Sequence, residues 1–85
     1  MINNPLTEDE RRALVQNLRD LSLQYTQADY GSDVGGAAKM RKITAEATEL
    51  LRGHGFVADP FLNAMGMTEW AYKIATGENP TKPRK

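Results

Sequence analysis

Eighty-five residues, 40% apolar and 26% charged, bound the chain to one globular domain with a modest core, too small to enclose a large active-site cavity. Zero cysteines and a single histidine exclude disulfide staples and the usual zinc cages, leaving self-association as the way to supplement a small core. The formal net charge is zero, yet residues 1–33 carry six acids against three bases, and neither half has the lysine and arginine density of a typical nucleic-acid binder.

No apolar run approaches 18 residues and no basic-then-apolar leader opens the chain, so a cytoplasmic setting without membrane insertion is expected. Beginning at Met1 with no linker scar, it reads as a small complete product, a size common among accessory factors.

The pattern predicts an all-α domain over residues 1–77. Its first helix, about 8–28, opens on Thr7-Glu8-Asp9-Glu10, a capping box in which Thr7 and Glu10 satisfy each other's backbone donors. Leu14, Leu18, Leu21 and Tyr25 then recur at helical spacing, continued by Ala28, and form one narrow stripe facing the core. Tyr30 to Gly36 holds three glycines and cap-forming Ser32 and Asp33, the composition of a helix connection. A second helix, about 37–52, follows with Met40, Ile43, Thr44, Ala47, Leu50 and Leu51 on a wider apolar arc, and Gly53 and Gly55 supply its left-handed stop. The two long helices make an antiparallel hairpin whose open faces the last third must cap.

That last third contains a conflict. In a helix continued from Pro60 to Thr76, Phe61, Met65 and Tyr72 would fall on one side and Met67, Trp70 and Ile74 on the other, at about 100° per residue. Two short helices, about 60–65 and 69–76, resolve it, with Asp59-Pro60 starting one, Gly66-Met67 as the break and Thr68 capping the other. Phe56-Val57-Ala58 is strand-like but has no partner. Gly77 stops the last helix, and residues 78–85 are expected to be a flexible basic tail.

No motif for catalysis emerges. His54 lies between two glycines, without the rigid shell a base needs or a nucleophile at a useful spacing, and is best explained as a polar loop residue. A calcium loop starting at Asp29 and running through Asp33 fails at its twelfth position, Met40, where a bidentate glutamate belongs. Gly53-His54-Gly55 and Gly35-Gly36 lack the remaining residues of nucleotide-binding loops. No catalytic residue, metal ligand or cofactor is therefore expected.

Surfaces remain. Leu23 points away from the core stripe, among Arg12, Gln16 and Arg19, with Val15 partway round. On the second helix Ala38, Arg41 and Ala45 form a flat patch of small residues on which another helix could lie. These features point to a non-enzymatic interaction module, an adaptor, inhibitor or regulatory subunit that binds a protein partner or a second copy of itself. Its size fits a phage or mobile-element factor acting on a host enzyme. The expected partner face comprises Arg12, Val15, Arg19 and Leu23, with Tyr72 from the last helix.

An alternative comes from Phe61-x-x-x-Met65-Gly66-Met67-Thr68, followed by Trp70 to Ile74, Gly77 and Pro80. This stretch resembles the supporting and recognition helices of a helix-turn-helix DNA-binding domain. The resemblance implies a DNA-binding regulator using residues 60–77, with Thr68, Glu69, Tyr72 and Lys73 facing the major groove. Two departures stand out, Leu62 at the position of a small residue and a recognition helix about one residue short, and the face also pairs one base with one acid against a polyanion.

Overall fold

The computed structural model describes residues 6–31 and 35–81. Among these residues it contains three helices and no strand: α1 (Glu8–Gly31), α2 (Gly36–Gly53) and α3 (Ala64–Ala75). They pack as a bundle in which α1 touches both of the others. The largest fully buried side chains are Leu14 and Leu18 of α1, Leu51 of α2, and Met67 and Ile74 of α3.

The capping box forms as the sequence predicts. The Glu10 amide donates to Thr7 Oγ1 at 3.1 Å and the Thr7 amide to Glu10 Oε1 at 3.0 Å. From there α1 runs past the expected end at Ala28 to Gly31, because Asp29 and Tyr30 are mediocre but tolerated helix formers. Ser32, Asp33 and Val34 of the expected connection lie outside the described residues.

α2 starts close against the end of α1. A Cβ on Gly36 would stand 2.9 Å from the Ala28 carbonyl oxygen, a backbone atom that cannot swing aside. Gly36→Ala is therefore expected to destabilise despite a helix-propensity gain of about 1 kcal/mol, since overpacking costs roughly 2 kcal/mol. A thermal melt should drop by about 5 °C. An unchanged or raised midpoint would mean that the two helices can part freely at this point.

The stop of α2 belongs to Gly55 alone, which takes φ +88°, whereas Gly53 remains helical. Gly55 N donates to Arg52 O at 3.0 Å and Phe56 N to Leu51 O at 3.0 Å, a Schellman closure. Beyond it Phe56 and Ala58 are buried and Val57 is exposed. The strand-like alternation thus serves a segment lying across the core with no sheet partner. Thr44 Oγ1 ties it to α2 by donating to Leu62 O at 2.7 Å.

The predicted pair of short helices is not present. Residues 60–61 form a turn held by Asp59 Oδ1, which accepts from Phe61 N at 2.8 Å, and α3 runs unbroken through Gly66 and Thr68. Its cap is Asn63, whose Oδ1 accepts from Gly66 N at 2.8 Å. Thr68 is an interior residue whose hydroxyl donates back to Ala64 O. A single helix is possible because the conflict dissolves in three dimensions: Met67, Ala71 and Ile74 enter the core, and Phe61, Met65 and Tyr72 stay in solvent.

The expected tail is also held further than foreseen. Gly77, at φ +118°, closes a second Schellman turn, and the Arg11 guanidinium then donates to Ile74 O at 2.7 Å, Glu78 O at 2.8 Å and Asn79 Oδ1 at 2.6 Å. Pro80 is buried. The chain is thus anchored on α1 through Asn79, and residues 82–85 lie outside the described residues.

Candidate functional site

Two groups of long-range hydrogen bonds set the register of α1 on α3. Arg11 meets the C-terminal end of α3, and Ser22 meets its start, with Ser22 Oγ donating to Ala64 O and lying 3.0 Å from Thr68 Oγ1. The helices are therefore antiparallel. Arg12, Val15 and Arg19 line a shallow groove with Ala75 of α3, so these residues border the same seam.

Helical spacing then places the rest. On α3, Met65, Thr68, Tyr72 and Ala75 recur at three- and four-residue intervals and form one row, two members of which are already fixed beside α1. On α1, Arg12, Arg19 and Leu23 stand on the outer side of that seam, one step round from Val15 and Ser22. The result is one face spanning both helices, with Leu23 58%, Met65 71% and Tyr72 69% exposed.

Of the expected partner face, Arg12 and Arg19 line the groove beside Ala75, and Leu23 and Tyr72 are exposed on α1 and α3. Val15 is not available. It is only 8% exposed and forms part of the core beneath the groove, because α3 covers the flank of α1 that a lone helix would show to water. Met65 joins the face and was missed. Its signal was the apolar conflict in residues 61–76, which sequence reasoning resolved by breaking the helix.

The charges on this face are lightly committed. Arg12 lies 3.7 Å from Asp9 in a pair whose two side chains are both largely exposed, a contact that solvent and salt weaken. Among the described residues Arg19 has no ion-pair partner.

The residues of the helix-turn-helix resemblance, Thr68, Glu69, Tyr72 and Lys73, are all exposed on α3. Thr68 borders α1, and Glu69 and Lys73 line a polar groove with Asp59, Asn63 and Trp70. Lys73 Nζ sits 4.9 Å above the Trp70 ring, itself edge-on to Phe56. The supporting helix and glycine turn over 60–67 are also missing, because Gly66 lies in the first turn of α3.

His54 is tied to its own helix, with Nδ1 donating to Leu50 O at 2.9 Å. Among the described residues no group of three or more His, Cys, Asp or Glu side chains stands close enough to hold a metal ion, and no helix is long and apolar enough to cross a membrane. Asp33, half of the calcium pair considered from sequence, lies outside the described residues. No protein-family model, curated protein or solved structure matches the chain.

Proposed function

We propose that this chain is a non-enzymatic helical interaction module, acting as an adaptor, inhibitor or regulatory subunit, that binds a protein partner through Arg12, Arg19, Leu23, Met65 and Tyr72. What supports the reading is that three large apolar side chains are largely exposed on α1 and α3, with two lightly committed arginines on α1, and that helical spacing sets them on the outer flanks of one seam. Methionine, aromatic residues and arginine are the types enriched where proteins meet, and a contiguous apolar patch means more than scattered exposed leucines. A partner whose apolar surface is rimmed by carboxylates complements this face. A symmetric pairing of two copies through it would instead bring arginines together.

Leu23→Glu is the test. Leu23 is solvent-exposed, so the fold should tolerate the change within about 0.5 kcal/mol. Co-purification from native lysate is expected to recover a protein partner with the parent chain, and Leu23→Glu should weaken that association about tenfold or more. A partner retained undiminished by Leu23→Glu and Arg19→Glu would remove the proposal. A strictly monomeric chain that retrieves no protein would also count heavily against it.

A further inference from the structure

A second apolar feature lies on another side of the molecule. Between α2 and the segment leading into α3 runs a groove of about 530 Å³, walled by Tyr25, Met40, Ala45, Phe61 and Leu62. Its construction keeps it apolar. The one hydroxyl on its α2 side, Thr44, is already committed to Leu62 O, and Leu62 is buried as the anchor of the wall. Asp59 fixes the turn at Phe61, so the ring is held outside the core and is 86% exposed. A large aromatic side chain in that position costs hydration with no gain in packing, unless something covers it.

Charge identifies the kind of cover. Among the described residues Arg41 is the only charged side chain lining the groove, and it forms no ion pair with any of them. The carboxylates of α2, Glu46 and Glu49, line grooves on the α1 side instead. The groove therefore offers an apolar trough with an uncompensated guanidinium at its edge.

We infer that this groove docks an acidic amphipathic helix of a protein partner, its apolar residues at i and i+3 or i+4 seated against Met40, Phe61 and Leu62 and a carboxylate paired with Arg41. A second copy of the chain is a poorer occupant. Symmetric pairing would set two Arg41 side chains close together, and the acidic cluster Glu8, Asp9 and Glu10 lies at the other end of α1 from Tyr25, outside the groove. This groove is separate from the α1/α3 face and does not depend on it.

Selection from a displayed library of random peptides of about four helical turns, against the full chain, tests the inference. The expected result is enrichment of peptides with apolar residues at helical spacing and flanking Asp or Glu. Their binding should fall about tenfold or more with Phe61→Ala and with Arg41→Glu, and stay unchanged with Leu23→Glu, which touches only the α1/α3 face. Arg41→Glu should instead favour the lysine-substituted counterpart of an enriched peptide. Circular dichroism melts of both variants check that the fold is intact. Enrichment of basic or unpatterned peptides, no enrichment, or binding indifferent to Phe61→Ala would overturn the inference. So would a dimer in light scattering that Phe61→Ala dissolves, which would give the groove to a second copy.

Discussion

Leu51→Ala is expected to cost about 3 kcal/mol, within the range for truncating a fully buried leucine. Leu51 has no exposed surface and stands where α2 meets the segment crossing the core, in one apolar cluster with Leu14, Leu18, Met67 and Ile74. Its carbonyl also accepts from His54 N and Phe56 N, so the backbone there is pinned and the cavity cannot close by a shift of the helix end. At roughly 0.1 kcal/mol per residue, a chain of this length has a total stability of only about 8 kcal/mol. The loss should lower the thermal midpoint by roughly 12–24 °C, read by circular dichroism. A fall of less than about 1 kcal/mol would mean that the three helices do not close around this position.

Arg11→Ala is expected to cost about 2 kcal/mol, since hydrogen bonds from a charged donor contribute more than neutral ones and this side chain is only partly buried. The guanidinium joins three acceptors that are far away in sequence, two of them carbonyls at and just beyond the end of α3, where a cation also suits the helix dipole. Arg11→Lys keeps the charge but loses the planar fork, and should recover less than half of the loss. The diagnostic readout is local. Amide hydrogen exchange should quicken at residues 76–80 and in the last turn of α3, while the first turn of α1, held by its own capping box, keeps its protection. Uniform weakening of the whole chain, with no excess at residues 76–80, would show that Arg11 does not clamp this end.

Local chemistry was legible wherever the partner of a group lay within a few residues. The Thr7 and Glu10 pair, the left-handed glycines at 55 and 77, and the stripe of Leu14, Leu18 and Leu21 follow from short-range geometry and helical period. Leu23 was visible as a misfit for the same reason: the angle between it and the stripe is a property of one helix. Val15 was misplaced because its environment belongs to α3, which no arithmetic on α1 contains.

The misjudged break at Gly66 has a related cause. Angular separation correctly set Phe61, Met65 and Tyr72 apart from Met67, Trp70 and Ile74, but it carries no rule that every large apolar residue must be buried. Treating exposure as an error split one helix into two and hid Met65 and Phe61 as surface features. Gly66 is accommodated at the helix start, where Asn63 caps its amide and Leu62 Cδ2 lies 2.9 Å from where a Cβ would stand.

The sequence by itself determined that this chain is all-helical, where α1 begins, where α2 and α3 stop, and which stripe of α1 meets the core, because capping, left-handed stops and period act over a few residues. Only the tertiary structure decided that α3 is continuous, that Val15 is interior, that the chain is anchored through Asn79 and that Met65 and Tyr72 stay exposed. Those outcomes rest on contacts such as Arg11 with Glu78 and Ser22 with Ala64, between groups more than forty residues apart. Their register comes from packing three helices together, which no single segment encodes.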